Sequence, residues 1–330
     1  MSDLARNHRL DLLRVIALMM IVLMHSPMPK GAQAPDYIIT GLSYFTASGI
    51  GLFFMISGAL LLGTSLTTWD FLKRRFSKIV FPTVLWTLFY LIVYCVEGVI
   101  SSVEALKAIV SIPFSWQYQG ILWFMYTLAG LYLLTPILAR WLKTASKREV
   151  EFYLLLWAIT LLYPYLERVM SIDTSSTGVL YYFTGYLGYF LLGYYLNTFY
   201  EFRTTHVVIA IAIAVLVPAL LFASGVEFSF YSMLWYLSLP VVSMAFVWFV
   251  LINKTSDKQI SLVSEISKLS FGIYFIHVFI LRRFLLKIEF IQEMPGLIQI
   301  PVVMISTLVL SFLIVKLISR LPHSKYIIGV

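Results

Sequence analysis

Ten apolar stretches of nearly bilayer-crossing length recur along this chain. They lie near residues 10–27, 41–63, 79–98, 119–138, 151–168, 178–199, 207–224, 231–252, 269–288 and 297–318. A helix rises about 1.5 Å per residue, so roughly 20 apolar residues cross a hydrocarbon core about 30 Å thick. The stretches are continuously apolar rather than alternating, which selects helices over a β-barrel. With 60% of its 330 residues apolar and only 12% charged, the chain lacks the polar surface a soluble core of this size needs. It therefore reads as an all-α protein: a polytopic membrane helical bundle of about ten transmembrane helices, one domain over residues 1–330, with the lipid bilayer as its first partner.

The net charge is +8. In a soluble protein this would suggest nucleic acid. Here the cations gather between the apolar runs, as they do in cytoplasmic loops, so no nucleic-acid partner is expected. With the N-terminus inside, the inner segments hold Arg6, Arg9 and Arg14; Lys73, Arg74, Arg75 and Lys78; Arg140, Lys143, Lys147 and Arg148; Arg203; Lys254, Lys258 and Lys268; and Lys316, Arg320 and Lys325. The outer segments hold Lys30, Lys107, Arg168, Arg282, Arg283 and Lys287. That bias predicts both termini to be cytoplasmic. The single cysteine, Cys95, excludes an intramolecular disulfide and a cysteine-rich metal site. No small-residue cleavage site ends the first run, so it reads as a retained span. The longest outer loop, about 97–118, suits an interfacial helix. No internal repeat is visible, which disfavours an inverted-repeat transporter.

The first run, RLDLLRVIALMMIVLMHS, carries Arg14 near one end and His25 near the other. Eleven residues at about 100° each bring both side chains to one face, about 16 Å apart along the axis. Ionisable residues inside a membrane usually face a cavity and mark a pathway. A ligand that touches both is long, thin and anionic at its cytoplasmic end, which describes an acyl-coenzyme A. The plainer reading has Arg14 snorkelling to headgroups and His25 capping an interface. Asp11 is the expected ion-pair partner of Arg14.

Downstream, Lys73, Arg74, Arg75 and Lys78 form a basic cluster suited to phosphate, and equally to a topology signal. His277 lies in the middle of the ninth run. Trp123 and Tyr126 open the fourth run as belt aromatics or as part of an acceptor site. Ser57 and Gly58 read as close helix packing. Glu97, Glu104, Glu167, Asp173, Glu289 and Glu293 fall in outer loops, where one of them can orient a histidine. His8, His206 and His323 read as solvated.

An arginine, ten residues and a histidine in the first span resemble the signature of the acyltransferase 3 family of integral-membrane O-acyltransferases. FFMISGALLL (53–62), FLKRRFSKIVFPTVLW (71–86), ILWFMYTLAGLYLLTPIL (121–138), YLGYFLLGYYL (186–196) and LSFGIYFIHVFIL (269–281) are similar to stretches of that family in the same order. One stretch departs: the family has Arg-x-x-Arg where this chain reads Arg75-Phe76-Ser77-Lys78.

The resemblance implies a single membrane acyltransferase domain in a bacterial inner (plasma) membrane. It would move a small acyl group, most simply acetyl, from cytoplasmic acyl-CoA to a hydroxyl of an extracytoplasmic cell-surface or lipid-linked saccharide. The chemistry needs a base near neutral pKa, and histidine supplies it without a metal. His25 is then general base or transient acyl carrier, with Arg14 beside the donor's channel. Arg74, Arg75 and Lys78 hold the CoA phosphates, while His277, Trp123 and Tyr126 position the acceptor. No permanently bound cofactor is expected; acetyl-CoA is a donor substrate. Oligomeric state is left open. The alternatives are a secondary transporter or saccharide flippase, which would leave acetyl-CoA intact, and a bis-histidine haem protein using His25 and His277, which would be coloured.

Overall fold

The computed structural model describes residues 7–27, 34–112, 114, 120–174, 178–225 and 227–330. Arg6 and Lys30, counted in the charge bias, lie outside them. Among the described residues the regular structure is entirely helical. In chain order the helices are α1 (His8–His25), α2 (Asp36–Leu61), α3 (Thr68–Val96), α4 (Ser102–Ser111), α5 (Trp123–Leu142), α6 (Lys147–Thr160), α7 (Tyr163–Met170), α8 (Leu187–Thr198), α9 (Thr204–Ala223), α10 (Phe230–Met233), α11 (Leu239–Asn253), α12 (Ser261–Arg283), α13 (Glu289–Gln292), α14 (Gly296–Ile318) and α15 (Lys325–Ile328). Six helical segments are long and apolar enough to cross a membrane: Asp36–Leu61, Thr68–Val96, Lys147–Met170, Thr204–Ala223, Ser261–Lys287 and Gly296–Ile318. α1 is a single 18-residue helix that carries Arg9, Asp11 and Arg14, and α11 has 15 residues.

The run expected as one span over 178–199 is instead divided. A 3₁₀ turn occupies Tyr181–Phe183, Gly185 takes a left-handed φ of 92°, and α8 begins at Leu187. The apolar pattern could not show this break, because nothing in the run but its glycines differs from a helix. The freed backbone is satisfied from a neighbouring helix, since the Trp157 indole N–H donates to the Gly185 carbonyl at 3.0 Å.

The chain divides into two compact units. The first comprises 1–65, 137–267 and 295–297; the second comprises 66–136, 268–294 and 298–330. In the first, α2 is the central helix and packs on α1, α8 and α11. Its contact with α8 is backbone on backbone. A Cβ at Gly58 would lie 1.8 Å from the Phe190 carbonyl oxygen, and one at Gly193 would lie 1.9 Å from that of Met55. Small residues allow such an approach, so the packing role read for Gly58 is what the structure shows. The other end of α8 is set by Gly188, over which the Trp157 ring lies directly.

In the second unit, α3 and α12 meet through aromatic rings. Trp86 stacks on Phe275 with centroids 6.0 Å apart, and the Tyr90 hydroxyl donates to the Phe275 carbonyl at 2.8 Å. The C-terminal helix α15 lies along α3, where the Trp86 indole donates to the Ile327 carbonyl at 2.9 Å. Pro82 deprives the Lys78 carbonyl of its helical donor. Gly329 packs against that carbonyl, at a φ of 76° and so close that a Cβ would lie 2.5 Å from the Lys78 oxygen. α4 is the short helix expected in the 97–118 loop. Ser101 and Glu104 form a capping box at its start. Its Ala105 and Ala108 pack on Leu91 and Ile100. The loop residues 113 and 115–119 lie outside the described ones.

Candidate active site

α1 begins where the Asn7 side chain accepts from the amides of Arg9 and Leu10, at 3.1 and 3.2 Å. It then continues unbroken to His25. Arg14 and His25 are therefore on one rigid helix and on one face of it, about three turns apart. Both are half-buried. The helix ends just past His25, where the Ser26 hydroxyl turns back to the Val22 carbonyl at 2.7 Å.

The first turn of α1 is anchored by polar contacts that residue spacing alone did not reveal. Asp11 is 6% exposed, and its carboxylate accepts from the Ser267 hydroxyl at 2.6 Å and the Ser264 hydroxyl at 3.5 Å. His8, read as solvated, places its Nδ1 3.9 Å from that carboxylate, and its amide donates to Asp257 at 2.9 Å. The Arg9 guanidinium donates to the Asn253 carbonyl at 3.1 Å. Asp257 also accepts from the Arg9 amide, which places a carboxylate at the positive end of the α1 dipole. These contacts fix α1 lengthwise against α11 and the start of α12.

Arg74, Arg75 and Lys78 share the first half of α3. Arg74 and Lys78 are exposed and Arg75 is half-buried, its guanidinium 5.9 Å from the Phe71 ring centre. At spacings of three and four these side chains lie on adjoining faces, an arrangement that can hold several phosphate oxygens. The fold adds a further cation. Lys268, almost two hundred residues later on α12, lies close enough to repel Lys78. No local pattern could have found it.

His277 is completely buried. Its Nδ1 lies 2.6 Å from the Tyr274 carbonyl. A carbonyl only accepts, so Nδ1 carries the proton and the lone pair of the neutral ring is on Nε2. The Tyr274 ring lies 5.6 Å from the imidazole and 5.4 Å from the Phe124 ring, which in turn neighbours Trp123. Tyr126, one turn further along α5, shares a hydrogen bond of 3.0 Å with Thr87. The Tyr274 and Phe124 rings thus link His277 to the start of α5 within the second unit.

Three of the carboxylates expected in outer loops are engaged elsewhere. Glu97 pairs with Arg283, Glu104 caps α4 through Ser101, and Glu167 accepts from Thr174. Two cavities open on the first unit. One of about 500 Å³ is lined by Glu167, Arg168 and Glu227 among others. The second, of about 310 Å³, is lined by Trp141, Tyr153 and Trp157 among others. Neither is lined by Arg14 or His25. Among the described residues no group of three His, Cys, Asp or Glu is placed to hold a metal ion.

Long apolar helices, glycine-mediated backbone contacts and ionisable residues within the helices define an integral membrane protein of the polytopic helical class. Residues 7–316 match the acyltransferase domain family known as acyltransferase 3, and the chain belongs to that family. It is accordingly a membrane acyltransferase that moves an acyl group to a hydroxyl. No curated protein and no solved structure matches the chain.

Proposed function

We propose that this protein transfers acetyl from cytoplasmic acetyl-CoA to a hydroxyl of an extracytoplasmic saccharide, free on the cell surface or linked to lipid. In this reading about ten helices cross a bacterial plasma membrane and both termini are cytoplasmic. The observation that carries it is the unbroken α1, which holds Arg14 and His25 on one face about 16 Å apart. That separation suits the slender arm of a CoA thioester, with charge at one end and the reacting carbonyl at the other.

Each residue then has a role set by its chemistry. Arg74, Arg75 and Lys78 hold the donor's phosphates, with Arg75 able to fork onto two oxygens and Lys78 acting as a point charge. Arg14 lines the donor's path. His25 takes the proton from the acceptor hydroxyl as its oxygen bonds to the thioester carbon. The C–S bond then breaks, and the proton passes to the departing thiolate. A variant of the same scheme has His25 carry the acyl group itself before the acceptor arrives. His277, its tautomer fixed by Tyr274, orients the acceptor together with Trp123 and Tyr126. Water excluded from such a site cannot hydrolyse the thioester.

The test is mass spectrometry of surface glycans from cells with the wild-type protein, without it, and with His25→Ala. The wild type should add one acetyl increment that the other two lack. Normal acetylation by a well-folded His25→Ala protein would remove the assigned base.

A further inference from the structure

The N-terminus of α11 has an arrangement that the scheme above does not use. Ser238 occupies the N-cap position of this 15-residue helix, yet its side chain accepts from no amide of the first turn. It is completely buried, and its Oγ has no hydrogen-bond partner among the described residues. N-cap serines ordinarily satisfy one of the orphan amides, and buried hydroxyls are ordinarily bonded, so this residue breaks both rules together. Pro240 contributes no N–H. The Val242 amide already bonds the Ser238 carbonyl at 3.0 Å. The helix's unsatisfied donors at this end are therefore the amides of Leu239 and Val241, at the positive end of the helix dipole.

The register of α1 against α11 places this group. The two helices pack together within the first unit. At one end Arg9 donates to the Asn253 carbonyl at 3.1 Å. Counting back about 15 residues from Asn253 reaches Ser238, and counting on 15 from Arg9 reaches Met24, a rise of about 22 Å in each case. A second contact fixes the far end independently, because the Tyr236 hydroxyl lies 3.7 Å from the Met24 sulfur. Tyr236 is itself held by the Tyr189 hydroxyl, which donates to its carbonyl at 2.6 Å. Ser238 is thus level with the His25 end of α1, to within about one helical turn.

We propose that Ser238 and the first-turn amides of α11 form the oxyanion site of the transferase, a catalytic site for the carbonyl oxygen of the acyl donor. The proposal rests on the acyl-transfer reading and deepens it. When the acceptor oxygen, losing its proton to His25, bonds to the thioester carbon, the carbonyl electron pair moves onto oxygen. The Ser238 hydroxyl and the Leu239 and Val241 amides donate to that developing charge. The pair then returns, the C–S bond breaks, and the thiolate leaves with the proton from the imidazolium. Donors fixed in place before the reaction need no reorganisation, and in a water-poor site they act at full strength. A hydroxyl left without a partner in the resting protein is what such a site requires.

The experiment measures turnover of acetyl-CoA with a saccharide acceptor by purified Ser238→Ala, by the near-isosteric Ser238→Cys and by His25→Ala, alongside thermal unfolding. The infrared carbonyl band of ¹³C-acetyl-CoA bound without acceptor is recorded for each. Ser238→Ala and Ser238→Cys should lower kcat by about 10²-fold, as loss of one oxyanion donor does, with KM for the donor and the melting point unchanged. The bound carbonyl band should sit below its free position in wild type and return toward it in both serine variants. Wild-type kcat and an unshifted carbonyl band in either folded serine variant would overturn the oxyanion site. If His25→Ala is inactive in that same experiment, the acyl-transfer reading stands without it. Full activity of His25→Ala would instead bring down the base assignment.

Discussion

His25 and His277 are both imidazoles on apolar helices, and the structure treats them in opposite ways. His25 is the last residue of α1, half-buried, at the end of a helix whose other end is tied down by Asp11, Arg9 and Asp257. His277 is mid-helix, fully buried and boxed by Tyr274, with Nδ1 bound to a backbone carbonyl. A histidine that must accept and return a proton needs access to the reactants, whereas one that must orient a group needs a fixed tautomer and a fixed ring. Under the proposed function the contrast separates the residue assigned to react from the one assigned to position, although the sequence presents both as a lone histidine in an apolar run.

The contrast can be broken most directly at His25. His25→Ala should reduce transfer by about 10²–10⁴-fold, the usual contribution of a positioned acid–base group, while leaving the melting temperature in place. A large drop in stability would mean that the residue also holds the fold. His277→Ala should do the reverse first. It empties a sealed site and removes a buried hydrogen bond, so it should destabilise by roughly 3 kcal/mol in thermal or denaturant unfolding. A variant as stable as the parent would show that the aromatic box does not depend on the ring.

Smaller changes sharpen the same division between holding and reacting. Gly58→Ala forces a methyl against the Phe190 carbonyl and should cost about 2 kcal/mol or more of stability with no direct effect on chemistry in the molecules that fold. An unchanged melting point would show that α2 and α8 can part without loss. Arg75→Ala should weaken acyl-CoA binding about tenfold, the equivalent of one charge-assisted hydrogen bond. That penalty should shrink as salt is raised, because the cluster is largely exposed and screened. Unchanged donor affinity in titration would return the cluster to a purely topological role.

Much of this was legible in the chain. Ten apolar runs foretold a helical membrane protein, since hydropathy and length depend on no partner. The spacing of Arg14 and His25 foretold their shared face, because a single helix fixes angle and rise by itself. Gly58 was read as a packing residue for the same kind of local reason. The broken run before α8 was not legible, because the indole that donates to the Gly185 carbonyl at the turn belongs to Trp157 on another helix. His8 looked solvated because the acceptor of its amide, Asp257, lies 249 residues away.

The sequence by itself determined the solvent, the helical class and the family, together with the face and spacing of the two groups on the first helix. These are properties of single segments in lipid, where each backbone must satisfy its own hydrogen bonds. Only the tertiary structure decided that Lys268 approaches Lys78 and that Ser238 stands level with the end of α1. Each of these depends on the register of one helix against another. Register is set by glycine contacts, buried carboxylates and ring stacks between residues far apart in the chain, and no local pattern encodes it.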